Sequence, residues 1–235
     1  MTKKIDDSKI NAALRAAKDF IYDDLTVGIG TGSTVNYFIQ ALSELVEKDE
    51  LDILCVPSSI ESKIELAKAG LSTGSLIEES ELDIYIDGAD IITKNFVLIK
   101  GGGGALTMEK IMARASEEFI VIADYTKYPR DLNSFPVPIE IIPQTVNTII
   151  KPIFDLGGEF RLRYGTGKIG PVISDNGNII GDVHFNKSFD PSEMEKALKL
   201  IPGVVENGIF PKDADRIIIG YPDSSELVFN KSEKE

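Results

Sequence analysis

Residues 82–127 read LDIYIDGADIITKNFVLIKGGGGALTMEKIMARASEEFIVIADYTK, and this stretch decides the fold. A hydrophobic run, Leu82 to Ile86, ends in Asp87-Gly88-Ala89-Asp90, and a second, Phe96 to Ile99, ends in Lys100 and the glycines Gly101 to Gly104. A helical segment, Ala105 to Glu118, carries Glu109 in its first turns, and a third run, Phe119 to Ala123, leads to Lys127. Short apolar runs punctuated by glycine and separated by a helix read as strands of a parallel sheet. Open α/β sheets bind their ligands at the carboxyl ends of strands. Two aspartates, two lysines, a glutamate and a bare backbone loop stand at such ends. The pattern predicts a catalytic cleft for a small anionic substrate.

The alternation extends upstream. Ala12 to Tyr22 reads as a helix with an apolar face of Leu14, Ala17, Phe20 and Ile21, and Thr26 to Gly30 as a strand. Val35, Phe38, Ile39, Leu42, Leu45 and Val46 then recur at helical spacing. GIGTGST at 28–34 is therefore a strand–loop–helix junction, where backbone amides and the hydroxyls of Ser33 and Thr34 make a natural anion site. A dinucleotide fingerprint requires glycine where Ser33 stands, and the P-loop lysine is missing. A small-molecule phosphate site is the functional reading and a tight structural turn the alternative. Ile53 to Val56 is the next strand, and Glu61 to Ala69 a helix stopped by Gly70. The predicted fold is α/β, a doubly wound, mostly parallel Rossmann-like sheet.

The texture changes near Asn133, where Pro136, Pro138 and Pro143 crowd one segment. Beyond it come a strand (139–142), a helix (146–156), strands at 159–163 and 171–173, a turn at Asp175-Asn176-Gly177-Asn178, a strand (179–185), a helix (191–200) and a strand (204–206). This order predicts a smaller ferredoxin-like α+β domain of split β-α-β-β-α-β type. Pro152 predicts a kink in its first helix. The predicted division is a catalytic domain of 1–132 and 208–235 and a small domain of 133–207. Arg216 to Gly220 and Leu227 to Phe229 rejoin the large domain, and the polar tail from Asn230 to Glu235 is expected to fray.

At 235 residues the chain can bury a full core, and its net charge of −13 argues against nucleic-acid and anionic-membrane partners. Cys55, the only cysteine, lies in a hydrophobic run and reads as a buried inert thiol. It leaves no internal disulfide and no zinc-type cysteine cluster. The only histidine, His184, falls in the small domain and reads as structural, so acid–base work passes to carboxylates and lysines. No His/Asp/Glu spacing suggests a metal, and no cofactor is expected. MTKKIDDSK lacks the apolar core of a signal peptide, and no apolar run is long enough to span a bilayer, so a cytoplasmic protein is expected.

Each chemical residue has a bland counterpart. A single aspartate at a strand end is usually a cap, but a spacing of three lets both carboxylates of DGAD enter one cleft. Four glycines cost backbone entropy and suggest a loop wrapped round a ligand, the alternative being a flexible linker. Glu109 serves equally as a dipole residue at a helix start or as an ionised general base. Lys127 alone reads as a surface lysine.

Taken together, the chain resembles ribose-5-phosphate isomerase, type A. The resemblance rests on GIGTGST at 28–34, DGAD at 87–90, KGGGGALTMEKI at 100–111, IADYTK at 122–127, FPVPIEIIP at 135–143, GPVISDNGN at 170–178 and IPGVVENGIF at 201–210. It implies interconversion of ribose 5-phosphate and ribulose 5-phosphate in the pentose phosphate pathway, without a metal, by a homo-oligomer (dimer or tetramer). It also implies Glu109 as catalytic base, with Asp87, Asp90 and Lys100 as further catalytic groups. Thr31, Gly32, Ser33, Thr34, Asp87, Gly88, Ala89, Asp90, Lys100, Gly101, Gly102 and Gly103 match substrate-contacting motifs, and Lys127 a lysine near the substrate phosphate. The family's lysine in the first helix has its nearest counterpart in Lys9, one residue out of register. Two other readings compete: a non-catalytic sugar-phosphate sensor, and an acyl- or CoA-transferring enzyme using Glu206.

Overall fold

The computed structural model describes residues 2–167 and 169–231. In chain order the elements are α1 (Thr2–Phe20), β1 (Leu25–Ile29), α2 (Ser33–Asp49), β2 (Ile53–Pro57), α3 (Ile60–Lys68), β3 (Leu82–Asp87), β4 (Ile91–Ile92), β5 (Leu98–Ile99), α4 (Leu106–Ala115) and β6 (Ser116–Asp124). There follow β7 (Val137–Ile141), α5 (Ile150–Asp155), β8 (Gly158–Leu162), β9 (Ile179–Phe185), α6 (Pro191–Lys199), β10 (Val204–Asn207), β11 (Ile209–Phe210), β12 (Arg216–Tyr221) and β13 (Ser224–Asn230). The frayed tail expected over 230–235 lies, from 232 onward, outside the described residues.

The chain divides into two compact units. The first comprises Met1–Ala89, Ile111–Tyr128 and Asp213–Glu235. Its sheet has the order β13-β12-β6-β3-β1-β2. β2, β1, β3, β6 and β12 run parallel, and β13 closes one edge antiparallel to β12. Helices cover a sheet whose strands are apolar along most of their length, the pattern of a parallel sheet buried on both faces. Val27, Ile29, Ile84, Ile86, Ile120, Ile122 and Ile218 form its centre, with Phe38 and Leu42 of α2 packed into them. β12 and β13 join this sheet, as the apolar runs after residue 215 predict.

Two local expectations change here. α1 starts near the amino terminus because its buried stripe is made of small residues, Ser8, Ala12, Ala13, Ala16 and Ala17. Leu14, expected on the apolar face, is 49% exposed. α4 stops at Ala115 rather than Glu118, because Ser116 and Glu118 pair with Leu82 and Ile84 in the sheet. Cys55 is fully buried, and desolvation pushes its thiol up to about 12, which leaves it protonated and inert at neutral pH.

The second unit comprises Asp90–Lys110 and Pro129–Lys212, and so holds the 133–207 segment together with residues 90–110. Its four-stranded antiparallel sheet has the order β10-β7-β9-β8, the strand order of a split β-α-β-β-α-β unit. Ile139, Ile141, Ile153, Val183 and Leu198 lie in its core. A second, three-stranded sheet has the order β11-β5-β4.

That small sheet corrects the reading of Phe96 to Ile99 as a strand of the parallel sheet. Only Leu98–Ile99 is extended, antiparallel to both Ile91–Ile92 and Ile209–Phe210. The cause is a tight reversal: Phe96 has φ +63°, and Thr93 accepts the Phe96 amide through its carbonyl and the Val97 amide through its hydroxyl. Two further expectations fail locally. Pro152 kinks nothing, because α5 begins only at Ile150 and the proline sits in its first turn, where no intrahelical donor is lost. Pro171–Ile173 forms isolated bridges, Tyr164 to Pro171 and Ile173 to Ile179, rather than a strand.

Candidate active site

In the first unit the site residues gather where β1 and β3 end. Gly30 donates to Ile86 O at 2.9 Å, so the chain leaves β1 alongside β3. Asp87, fully buried, then locks both ends: Oδ1 accepts from the amides of Thr31 (3.0 Å) and Gly88 (2.7 Å), and Oδ2 from the Tyr85 hydroxyl. Gly30 is required here, because a Cβ at this position would lie 2.0 Å from Asp87 Oδ1. Thr31 Oγ1 donates to Ser59 Oγ at 2.7 Å and lies 2.9 Å and 3.1 Å from the hydroxyls of Ser58 and Ser62. Ser59 also caps α3 through the Ser62 amide at 3.1 Å. Gly32, Ser33 and Thr34 open α2, whose amino terminus has no side-chain cap. Helix-start amides of this kind favour an anion.

In the second unit the central feature is a buried ion pair. Lys100 Nζ lies 3.3 Å from Glu109 Oε2, with the two side chains 2% and 4% exposed. Lys100 follows β5, donates its amide to Gly208 O at 2.9 Å, and carries its ammonium 5.7 Å from the centre of the Phe210 ring. Glu109 occupies the first turn of α4, as the sequence predicts. The glycine loop lies between them in the chain. Asp90 Oδ2 accepts the Gly102 amide at 2.7 Å, and a Cβ on Gly102 would lie 2.5 Å from Asp90 Oδ1. Asp90 thus holds the loop that follows Lys100.

The sequence reading missed Arg163. Its Nη1 donates to Gly101 O (2.9 Å) and Gly102 O (3.0 Å), while Asp182 takes Nε at 2.8 Å and Nη2 beside it. A bidentate arginine–carboxylate pair therefore holds the glycine loop from its carbonyl side. The visible hint is Asp182, a carboxylate in the largely apolar strand Ile179–Phe185. Ser58, Ser59 and Ser62 were also missed as partners of Thr31.

Three further expected residues have contacts of their own. Lys127 ends a short 3-10 turn, Tyr125–Lys127, set by Asp124, which accepts the Thr126 amide at 2.9 Å. Lys9 lies on α1 with Nζ 4.0 Å from Asp6. Glu206 is engaged by Lys110 (3.1 Å), Lys199 (2.6 Å) and the Asn207 amide (2.9 Å). Burial alone would raise its pKa, but the Lys110 charge and these donors hold the carboxyl below the ordinary glutamate value. A carboxylate so engaged is a poor acyl acceptor. Among the described residues no cluster of three metal-ligating side chains occurs. No described helix is long and apolar enough to cross a membrane.

The fold is α/β, with a Rossmann-like sheet and a hydroxyl-lined loop at a helix start in the first unit and a buried lysine–glutamate pair in the second. The family model for ribose 5-phosphate isomerase A (phosphoriboisomerase A) matches residues 54–224. The chain belongs to this family. It is 45% identical over 218 residues to the ribose-5-phosphate isomerase A of Pyrococcus abyssi, covering 92% of this chain and 95% of that protein. It superposes on ribose 5-phosphate isomerase A from Methanocaldococcus jannaschii with TM-score 0.91 at 39% identity, covering 95% and 99% of the two chains. A D-ribose-5-phosphate isomerase in complex with phospho-erythronic acid is similar at TM-score 0.90 and 41% identity, covering 94% and 98%.

Gly30→Ala tests the packing around Asp87. The added methyl must displace the carboxylate that ties the Thr31 and Gly88 amides, and overpacking of this kind costs about 1–3 kcal/mol. A clearly lowered denaturation midpoint is expected. An unchanged midpoint would show that the Asp87 contacts are not tight.

Proposed function

We propose that this chain interconverts ribose 5-phosphate and ribulose 5-phosphate through an enediolate, with Glu109 as the general base. The observation that carries the reading is the Lys100–Glu109 pair, buried at 3.3 Å and adjoining a glycine loop in the chain. Family membership and a relative's complex with phospho-erythronic acid support a sugar-phosphate ligand.

In the open-chain aldose Glu109 takes the proton from carbon 2, and the electrons left behind form the enediolate as carbonyl oxygen 1 becomes an oxyanion. Lys100 is the cation for that developing charge. The Gly102 and Gly104 amides are already given to Asp90 and Gly101 O, which leaves the lysine the larger share of the stabilisation. The hydroxyl proton on oxygen 2 passes to oxygen 1, Glu109 returns its own proton to carbon 1, and the carbonyl now stands at carbon 2. One carboxylate thus serves as base and then as acid, and the protons balance.

The remaining roles follow the chemistry of the groups. Gly32, Ser33 and Thr34 offer helix-start amides, with the Ser33 and Thr34 hydroxyls, to a phosphate lying against Thr31, and Lys127 adds charge to it. The phosphate is a handle whose binding energy orients the reacting carbons. Asp87 with Gly88 and Ala89, and Asp90 with Gly101, Gly102 and Gly103, contact the sugar. The two aspartates assist ring opening and move hydroxyl protons. Asp87 accepts three donors, which weights its contribution towards holding the loop.

The reading includes a cytoplasmic homo-oligomer, a dimer or tetramer. Ile150 (47% exposed) and Phe154 (74%), four residues apart on α5 and so on one helix face, support self-association, since neighbouring exposed apolar side chains mark contact sites. Sedimentation equilibrium should return the mass of two or four chains, and a single-chain mass at micromolar concentration would refute this part.

Glu109→Gln tests the chemistry. The amide keeps the shape of the side chain but cannot take a carbon-bound proton, and loss of a general base costs roughly 10²–10⁴-fold in rate. Turnover of ribose 5-phosphate should fall by that order while ribose 5-phosphate still binds. Near-normal turnover in the variant would remove Glu109 from the role.

A further inference from the structure

β7 reads Val137-Pro-Ile-Glu140-Ile141, and its glutamate is as deeply buried as its isoleucines. A buried carboxylate needs compensating donors, and Glu140 has four. Thr107 Oγ1 donates to Oε2 at 2.6 Å, Ser174 Oγ and Asn178 Nδ2 to Oε1 at 2.8 Å each, and Asn176 Nδ2 reaches both oxygens at 3.2 Å. Three of these donors come from the Ser174–Asn178 turn, closed by Ser174 N to Asn178 O (2.8 Å) and Gly177 N to Ser174 O (2.9 Å). The turn that reads in sequence as a hairpin connection is thus a cup of neutral donors round a buried charge. The fourth donor, Thr107, is the second residue of α4, two positions before Glu109.

One turn further along α4, Lys110 donates to Glu206 at 3.1 Å and to Glu195 at 3.2 Å. Glu206 on β10 stands directly opposite Glu140 on β7 in the register of the sheet. Thr107 and Lys110 are three residues apart and share a helix face. That face is therefore fixed on two neighbouring strands by two buried carboxylates. Glu109, between them in sequence, points elsewhere, towards Lys100. Apolar burial is non-directional, whereas hydrogen bonds are directional. A buried donor or acceptor left unpaired is penalised by its full desolvation, so polar contacts select one setting of the helix. Each residue of rotation turns a side chain by about 100° and advances it by ~1.5 Å, which is enough to separate Glu109 from its partner.

We propose that Glu140 is a positioning residue for the isomerisation: through Thr107 it fixes the setting of α4 that aims Glu109 at Lys100 and at the substrate carbon. The inference rests on Glu109 acting as the base. Glu140 touches no reacting atom, and its effect passes through the Thr107 hydroxyl.

The test is a mutant cycle read by steady-state kinetics on ribose 5-phosphate, normalised to folded protein by circular dichroism. Thr107→Val removes the hydroxyl at constant shape, Thr107→Ser keeps it, and Glu140→Gln replaces one acceptor oxygen by a donor. Misplacing a catalytic group by about 1 Å can cost 10²-fold. Thr107→Val and Glu140→Gln should each lower kcat by about tenfold or more, with KM within about twofold of wild type. Thr107→Ser should stay near wild type, and the double variant should be no slower than the slower single one, because both act through one bond. A lower melting temperature with unchanged kcat in Thr107→Val would make the contact purely structural and overturn the proposal. So would kcat losses that multiply in the double variant. If Glu140→Gln does not fold, Thr107→Val against Thr107→Ser decides alone. Wild type and Glu109→Gln run alongside separate the two levels. A wild type that does not isomerise, or an active Glu109→Gln, defeats the functional reading. An active wild type, an inactive Glu109→Gln and an unimpaired Thr107→Val defeat only this inference.

Discussion

A lysine and a glutamate held 3.3 Å apart and almost wholly out of water are the constraint that the second unit is built to satisfy. Burying two charges costs several kcal/mol each after relaxation, and their attraction offsets that only when both are held in place. Lys100 is held by the hydrogen bond from its backbone amide to Gly208 O and by the neighbouring Phe210 ring. Glu109 is held by the first turn of α4, where the helix dipole also favours a carboxylate. The short sheet β11-β5-β4, the loop fixed by Asp90 and Arg163, and the two carboxylates under α4 all restrain one of these partners. Order of this kind costs stability in the free protein and removes the cost of orienting the groups during reaction.

The anion site proposed in the first unit faces a different problem, a chain of net charge −13. Screening limits the reach of distant surface charges to about 8–10 Å, so local donors decide the outcome. Asp87 spends its own charge on the Thr31 and Gly88 amides and the Tyr85 hydroxyl rather than on the surface. The hydroxyls of Thr31, Ser58, Ser59 and Ser62 satisfy one another, which leaves the helix-start amides of α2 as the attractive feature of the loop.

Much of this was legible in the amino-acid sequence, for physical reasons. α2 could be read because Val35, Phe38, Ile39 and Leu42 keep a clean helical period, and the parallel sheet because its strands are buried on both faces. Asp87 and Lys100 are marked because they directly follow apolar runs and Asp90 by its spacing from Asp87, whereas Glu109 reads equally as a helix-start residue and takes its role from the family resemblance. The misreadings have equally local causes. Phe96 to Ile99 has the composition of a central strand, but the positive φ of Phe96 turns it back on β4. α1 was truncated because alanines and a serine make its buried stripe, a pattern with little hydrophobic contrast. Arg163, Ser58 and Glu140 carry no periodic mark at all. Their meaning lies in partners such as Gly101, Thr31 and Thr107, which are distant in the chain. Glu140 shows only as a charge in an apolar strand, a clue that something must satisfy it but not what.

The central claim is that one carboxylate lifts a proton from carbon 2 and returns it to carbon 1. The direct measurement is to run the isomerisation of ribose 5-phosphate in heavy water and follow the hydrogen at carbon 1 of ribulose 5-phosphate by NMR. A proton held on Glu109 between the two half-reactions has the opportunity to exchange with solvent. Deuterium should therefore enter carbon 1, and transfer from carbon 2 should be incomplete. A product with no deuterium at carbon 1, its hydrogen carried over wholly from carbon 2, would mean a hydride shift and would contradict the account.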